Sequence, residues 1–253
     1  MTLTWDRICW NFLLPPTCVW CGTDLAHEAG DGATGEFCST CRLRLTQERD
    51  PQCHVCAGPV GPNLDTSRGC GHCRTDRFAF ERVFALGVYH DDLRTACIDA
   101  KQPFAGPLAA GLVHLLQERV GNEVKSLGID LVIPIPHYWT ERLLRSHLPP
   151  VTQSSAWSRF LMVPVDGHIL AKQRRTPPQS SLTPAERRSN LTNAFQITGG
   201  ARLTDLKVLL VDDVLTTGAT AHQAARQLKA AGAEAVFVAT VARGIGFDRL
   251  SPV

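Results

Sequence analysis

The stretch that decides the fold is Val208-Leu209-Leu210-Val211-Asp212-Asp213-Val214-Leu215-Thr216-Thr217-Gly218-Ala219-Thr220. The segment 206–211 is short and nearly all apolar, which is typical of a strand buried on both faces of a parallel sheet. Ligands of open α/β sheets bind at the carboxyl ends of the strands. We therefore predict a buried strand over 206–211 that places Asp212 and Asp213 at the ligand-binding edge.

A loop of small and hydroxyl-bearing residues follows the two acids and leads into a predicted helix. Apolar residues recur at helical spacing from Ala219 onwards, and Gly232 follows as a C-terminal cap. The backbone N–H groups of such a loop can bind an anion at the positive end of the helix dipole, and Gly218 allows close approach. The predicted phosphate-binding residues are Val214, Leu215, Thr216, Thr217, Gly218, Ala219 and Thr220.

The two acids suit a sugar that carries this phosphate, because carboxylates accept hydrogen bonds from ribose hydroxyls, directly or through a magnesium ion. The competing interpretation makes Asp212 and Asp213 a helix-capping or receiver-like pair and the threonines an ordinary turn. The stretch resembles the 5-phosphoribosyl-1-pyrophosphate (PRPP) motif of type I phosphoribosyltransferases, in which an apolar run, two acids and a Thr-Thr-Gly-x-Thr loop follow in this order. This resemblance implies a PRPP site with magnesium as the accompanying cation.

The composition fits one α/β domain with a small appendage. The chain has 253 residues, 44% of them hydrophobic, and a net charge of +2 that points to no class of partner. The apolar run 8–20 is too short to cross a bilayer, contains Pro15-Pro16 and lacks a small-residue cleavage site after it. We therefore predict a cytoplasmic protein that does not insert into the membrane.

Eight of the ten cysteines form four C-x2-C pairs in the amino-terminal third. Two such pairs complete the tetrahedral shell of a structural zinc ion and leave no open coordination position. Taken in chain order, the pairs predict up to two zinc ribbons. An interleaved pairing and a disulfide framework are the alternatives, and a cytoplasmic location argues against disulfides. The predicted zinc ligands are Cys18, Cys21, Cys38, Cys41, Cys53, Cys56, Cys70 and Cys73.

The region between the cysteines and the acidic strand predicts further sheet and helix. Residues 82–89 are typical of a strand, and helical periods follow over about 91–100 and 108–120. The apolar segment 129–135 predicts another buried strand, closed by Pro134-Ile135-Pro136. A stiff turn of this kind suits a pyrophosphate loop, and a simple strand-terminating turn is an equal interpretation.

Basic residues are in excess between residues 142 and 188. Within this stretch, Lys172 to Ser181 has no apolar periodicity and predicts a mobile loop. Arg174 and Arg175 in this loop are candidates to bind a departing pyrophosphate or nucleic-acid phosphates. A solvated basic loop without a ligand is the alternative.

Nearly the whole chain resembles the ComF family of competence-associated phosphoribosyltransferase-like proteins. The resemblance rests on the four C-x2-C pairs upstream of the PRPP motif and on Tyr89…Lys101, Pro134-Ile135-Pro136, Arg174…Gln179 and Arg187-Arg188-Ser189-Asn190…Ala194-Phe195. It implies an N-terminal helix and small double zinc ribbon over 1–78. Over 79–253 it implies a type I phosphoribosyltransferase-like α/β domain, with a parallel sheet and helices on both faces.

The same resemblance implies the handling of single-stranded DNA during DNA uptake and natural transformation, with competence proteins such as a DNA translocase as partners. The chain departs from the family in one segment. Where members usually carry Arg-Gly-Phe-Asn-Gln, this sequence has Arg145-Ser146-His147-Leu148-Pro149. The arginine is kept, whereas the glycine and the amides are lost unless Gln153 replaces them in a shifted register.

Two functions of different classes follow. As an enzyme, the chain would bind PRPP with magnesium and transfer its phosphoribosyl group. Asp212 and Asp213 would hold the ribose diol, while Lys101 and Arg174 or Arg175 would hold the departing pyrophosphate. As a non-catalytic protein, it would capture a sugar phosphate, a nucleotide or single-stranded DNA in the same pocket while the zinc ribbons dock a partner.

Overall fold

The fold is that of a computed structural model, which describes residues 15–26, 36–46, 51–138, 147–173 and 194–245. The chain divides into two compact units, Met1–Gln47 and Glu48–Val253. In the first unit, an antiparallel bridge joins Thr17 to Asp24, and helix α1 (Ser39–Thr46) follows. The predicted boundary at residue 78, between the zinc ribbons and the phosphoribosyltransferase-like domain, stays a prediction.

The second unit alternates strands and helices. Along the chain its elements are β1 (Arg82–Val88), α2 (Asp91–Asp99), α3 (Gly106–Ser126), β2 (Leu131–Pro134), α4 (Pro149–Leu161), β3 (Leu170–Lys172), β4 (Phe195–Ile197), β5 (Lys207–Leu215), α5 (Ala219–Ala230) and β6 (Ala235–Arg243). Four of the strands form a parallel sheet in the order β1-β6-β5-β2. The predicted strands and helices at 82–89, 91–100, 108–120 and 129–135 are confirmed within a few residues.

Helices cover both faces of this sheet. The buried stripe of α5 packs in one cluster with alternate residues of the strands, Leu210 of β5 and Val236 of β6 among them. The residues between them in the sequence, such as Leu209, point to the opposite face because strand side chains alternate. There α4 contacts β2 and β5 and packs against α3. The predicted α/β fold class is therefore confirmed.

Helix α4 is an element that sequence reasoning missed. Its sequence begins with two prolines and is rich in serine and threonine, so its apolar period is weak. Pro149 and Pro150 nevertheless fit the first turn of a helix, where backbone N–H groups have no intrahelical partner. The helix is anchored by Trp157, which is fully buried.

Strand β5 is longer than the predicted strand and runs through the two acids to Leu215. Its pairing with β6 continues along this extension, where Asp212 lies opposite Thr240 and Leu215 opposite Arg243. On the other side β2 ends at Pro134, which lies opposite Val211. The acids therefore sit at the carboxyl end of the sheet, where β5 extends beyond one of its two neighbours.

A separate antiparallel pair, β3 with β4, brackets the basic loop. Phe195 begins β4, and Lys172, which was predicted to lie in the loop, ends β3. Arg174 and Arg175 lie outside the described residues, so their predicted role stays a prediction. Within the part of the chain that the structure describes, no helix is both long and apolar enough to cross a membrane.

Candidate functional site

An ion pair joins the turn after α2 to the end of β5. The Nζ atom of Lys101 lies 2.6 Å from Oδ2 of Asp213, and the two side chains are 36% and 15% exposed. The Asp213 N–H donates to Oδ1 of Asp212 and the Val214 N–H donates to Oδ1 of Asp213, both at 2.9 Å. The three predicted catalytic residues, Lys101, Asp212 and Asp213, therefore lie together at the carboxyl edge of the sheet.

The two carboxyl groups at this edge have pKa values shifted in opposite directions. Burial and the neighbouring Asp213 charge raise the pKa of Asp212 well above its usual value. Burial also opposes ionisation of Asp213, but the Lys101 ammonium outweighs it and the pKa of Asp213 is lowered. Burial likewise disfavours the charge on Lys101, yet Asp213 raises its pKa overall. The site thus combines the Lys101–Asp213 salt bridge with a second carboxyl group, that of Asp212, which binds its proton more tightly than an ordinary aspartic acid does.

Two further residues act on this ion pair. His137 contributes to the lowered pKa of Asp213, and Tyr89 contributes to the raised pKa of Lys101, in each case after larger contributions from burial and the ion pair itself. Sequence reasoning placed Tyr89 only in the family resemblance and missed His137. The signal was a titratable side chain directly after the Pro134-Ile135-Pro136 turn, which was itself a candidate pyrophosphate loop.

The predicted phosphate loop lies next to the acids and opens α5. Gly218 has a φ of 75°, and a Cβ atom there would lie 3.1 Å from Cε1 of Phe78. The Ala219 N–H donates to Oγ1 of Thr217 at 3.3 Å, so a threonine hydroxyl binds the first backbone N–H of the helix. Glycine is therefore required by backbone conformation and by an aromatic neighbour, in addition to the ligand approach predicted from the sequence.

The seven predicted phosphate-binding residues fall into two groups. Val214 and Leu215 belong to β5 and lie opposite Ala242 and Arg243 of β6. The other five form the turn and the first residues of α5, and they are Thr216, Thr217, Gly218, Ala219 and Thr220. An anion at the helix N-terminus would meet the second group first.

His147, in the segment that departs from the family, lies beside the same site. Burial lowers the pKa of His147, although a hydrogen bond with the Ala100 backbone acts against this. Ala100 directly precedes Lys101, which places this histidine close to the ion pair. Gln153 lies on α4 and is 1% exposed, and its Oε1 atom has no hydrogen-bond partner within the described residues. Arg145 lies outside those residues.

The cysteines form two clusters, each made of two neighbouring C-x2-C pairs in chain order. Within each cluster the four Sγ atoms lie within 4.8 Å of one another, and closest separations are 3.7 Å for Cys21–Cys38 and 3.7 Å for Cys56–Cys70. Tetrahedral zinc with Zn–S bonds of about 2.3 Å separates its sulfurs by about 3.8 Å, whereas a disulfide requires about 2.05 Å. The sequential pairing fits up to two structural zinc ions, and the described cysteines form no disulfide.

The first cluster consists of Cys18, Cys21, Cys38 and Cys41, and the second of Cys53, Cys56, Cys70 and Cys73. The second is joined directly to the sheet. The Val83 N–H of β1 donates to the carbonyl of Val55 at 3.0 Å, and Ala57, 1% exposed, belongs to the core beneath α5. This metal site is thus part of the structure that carries the acids.

Two family models match the parts of the chain that carry the cysteines and the acids. The double zinc ribbon domain family matches residues 9–74, and the phosphoribosyl transferase domain family matches residues 156–249. Among solved structures, glutamine PRPP amidotransferase from B. subtilis, complexed with ADP and GMP, is similar with 20% identity and a TM-score of 0.30. The match covers 44% of this chain and 22% of that one.

Curated relatives match most of the chain. Competence protein F of Haemophilus influenzae is 27% identical over 231 residues, which cover 89% of this chain and 96% of that protein. DNA utilization protein YhgH of Escherichia coli (strain K12) is 26% identical over 205 residues, covering 80% and 88%. The chain therefore combines a double zinc ribbon with a phosphoribosyltransferase domain, and over most of its length it is similar to competence protein F and DNA utilization protein YhgH.

Proposed function

We propose that the protein binds the ribose 5-phosphate part of PRPP at the carboxyl edge of its sheet and acts in DNA uptake or utilization. The observation that carries the proposal is the Lys101–Asp213 ion pair beside Asp212, directly before the N-terminus of α5. A sugar phosphate needs hydroxyl-binding oxygens next to an anion site, and these elements supply both. The names of the relatives, competence protein F and DNA utilization protein, support the biological role.

In this proposal the phosphate binds the turn from Thr216 to Thr220, and the ribose hydroxyls bind Asp212 and Asp213. Magnesium would arrive with PRPP, and it suits a site that offers carboxylate and hydroxyl oxygens. Lys101, with Arg174 or Arg175 from the basic loop, would face the pyrophosphate. These cations stabilise the negative charge that grows on pyrophosphate as it leaves.

The proposed reaction is transfer of the phosphoribosyl group. The bond between the anomeric carbon and pyrophosphate breaks, and its electron pair leaves with pyrophosphate. A new bond forms between the same carbon and an acceptor nucleophile, which loses its proton. Fixed carboxylates and cations on both sides of the reacting carbon would hold the departing pyrophosphate and the acceptor nucleophile in line.

A second candidate is the binding of single-stranded DNA or a nucleotide without turnover. The names of the relatives mention competence and DNA, not transfer of a phosphoribosyl group. The basic stretch 142–188 would add contacts to phosphates, and such binding weakens steeply with salt.

Calorimetric titration of the zinc-loaded protein tests the site. We expect the double variant Asp212→Asn, Asp213→Asn to bind ribose 5-phosphate and PRPP with magnesium at least about tenfold more weakly than the wild type, because amides replace the carboxyl oxygens that would accept from the ribose hydroxyls and the charge of Asp213 is lost. Asp130→Asn is the matched control, since Asp130 accepts the Lys207 N–H at the opposite end of β5. Equal affinity in the double variant would refute the site.

The same titrations separate the two candidate functions. Binding of PRPP that depends on the acids, followed by release of pyrophosphate when nucleobases are added, supports the transferase. Binding of a short single-stranded oligonucleotide without binding of PRPP supports the second candidate and overturns the first.

A further inference from the structure

One buried arginine connects the second cysteine cluster to the phosphate loop. Arg243 ends β6 and is 5% exposed. Its Nε donates to the carbonyl of Cys56 at 2.8 Å, and its Nη1 donates to the carbonyl of Leu215 at 3.2 Å. The same Nη1 also contacts the carbonyls of Thr216 and Gly244. A single guanidinium therefore spans from a metal ligand to the first residue of the loop.

The charge of Arg243 is balanced in an unusual way. No carboxylate of the described residues forms an ion pair with it, and its hydrogen bonds all go to backbone carbonyls. Burial of an uncompensated charge is costly. Four thiolates around a zinc ion carry a net charge of −2, so a metal-loaded second cluster supplies negative charge beside Cys56. The buried arginine and the loaded cluster therefore stabilise each other.

A second set of contacts connects the same two regions. Phe78 follows the second cluster, stacks on Phe80 with ring centroids 4.5 Å apart, and lies against Gly218 of the loop. Between them, the Ala79 N–H donates to Nδ1 of His222 on α5 at 3.0 Å. The segment that leaves the cluster thus covers the start of the helix that the proposed phosphate would meet.

We propose that Arg243 is a positioning residue that holds the Leu215–Gly218 turn against the second zinc site, so that the turn binds a phosphate tightly only when this site holds its metal. The proposal rests on the proposed function for its ligand, and it makes the second zinc site a control element of that pocket. Arg243 itself does not reach the ligand. It fixes the carbonyls of the turn and thereby the direction of the N–H groups that follow.

Two substitutions test Arg243: one removes its charged guanidinium, and the other replaces the guanidinium with an ammonium. In Arg243→Gln we expect ribose 5-phosphate to bind at least about tenfold more weakly, because the turn loses a charged donor shared by several carbonyls. Amide hydrogen exchange of residues 215–220 should become faster in parallel. Arg243→Lys keeps the positive charge but loses the planar guanidinium with its several N–H donors. Its affinity for ribose 5-phosphate should lie between those of the wild type and Arg243→Gln. Arg202→Gln, at an exposed position, is the matched control.

The metal is tested by comparing the two clusters. Cys70→Ser should lower the zinc content by one ion, speed exchange at residues 215–220 and weaken binding of ribose 5-phosphate. Cys21→Ser should also remove one zinc ion but leave exchange at the turn unchanged, because its cluster belongs to the other compact unit. Stepwise removal of zinc from the wild type with a chelator gives the same comparison should the cysteine variant fail to fold.

The outcomes separate this proposal from the proposed function. Faster exchange at the turn in Arg243→Gln and in the metal-depleted protein supports the connection, even if the wild type does not bind ribose 5-phosphate. Wild-type exchange at residues 215–220 in either case overturns it, even if ribose 5-phosphate binds and the acids are needed for this. Weaker binding with unchanged exchange also overturns it, because Arg243 would then act on the ligand directly.

Discussion

The two cysteine clusters have nearly the same spacing in the sequence but different surroundings in the structure. In the first, Cys21 is exposed and the cluster belongs to a small unit with one described helix, α1. In the second, all four cysteines are between 1% and 4% exposed, and the surrounding backbone bonds to β1 and to Arg243. The first is suited to stabilise its own small fold, and the second is part of the α/β fold.

This difference teaches that a metal motif does not by itself define what the metal stabilises. A metal-bound cluster contributes its binding free energy to whichever residues fold with it. For the first cluster these lie within residues 15–46, as far as the structure describes them. For the second they include the sheet and the loop that opens α5.

The largest effect should come from removing one ligand of each cluster. We expect Cys53→Ser to lower the free energy of unfolding of the α/β unit by at least about 3 kcal/mol, because loss of a structural metal is lost folding energy. Cys21→Ser should leave the unfolding of that unit within about 0.5 kcal/mol of the wild type. Urea titration followed by far-UV circular dichroism measures both, and equal losses would contradict the comparison.

A smaller effect should come from one glycine in each cluster. Gly22 and Gly69 both have positive φ, 75° and 93°, so alanine is strained at either position. A Cβ at Gly69 would lie 2.8 Å from Sγ of Cys73, whereas nothing lies within 4 Å at Gly22. We expect Gly22→Ala to weaken its zinc site by about 1 kcal/mol, and Gly69→Ala to weaken its own by at least about 2 kcal/mol.

Competition with a chromophoric chelator measures these two zinc affinities. A loss at Gly22 that equals or exceeds the loss at Gly69 would show that the crowding around Cys73 is relieved at little cost. The second cluster would then be no more rigid than the first, and the difference between the two clusters would not extend to the residues around each zinc site.

The predictable parts of the molecule are those in which neighbouring residues carry the signal. Helix α5, the buried part of β5 and the order of the cysteine pairs all follow from short periods or spacings, and the structure confirms each of them. The family resemblance assigned Lys101 to the departing pyrophosphate, which stays a prediction, and the structure adds that its ammonium lies against Asp213.

The remaining features depend on partners far away in the sequence. The extension of β5 beyond Val211 depends on β6, which continues to pair with it after β2 has ended. The bond from Arg243 to Cys56 joins residues 187 positions apart, and no local pattern marks that arginine. Helix α4 lacks a clear apolar period and is held by tertiary packing of Trp157.

The smallest of these effects should come from a threonine in each cluster region. Oγ1 of Thr66, which is 8% exposed, accepts the His54 N–H at 2.9 Å. This bond connects the turn between Cys53 and Cys56 to the segment before Cys70. Thr66→Val leaves this partly buried N–H without a partner, which should cost about 1 kcal/mol of unfolding free energy. Thr66→Ser keeps the hydroxyl and should recover most of it.

In the first cluster, Oγ1 of Thr23 lies 3.1 Å from Sγ of Cys21, and this contact is exposed. Water can replace the hydroxyl there, so Thr23→Val should change stability by less than about 0.5 kcal/mol. Urea titration of the three variants ranks them. Should Thr23→Val cost as much as Thr66→Val, the two clusters would rely equally on their side-chain hydrogen bonds, and the difference between them would be confined to the backbone contacts of the second with the sheet.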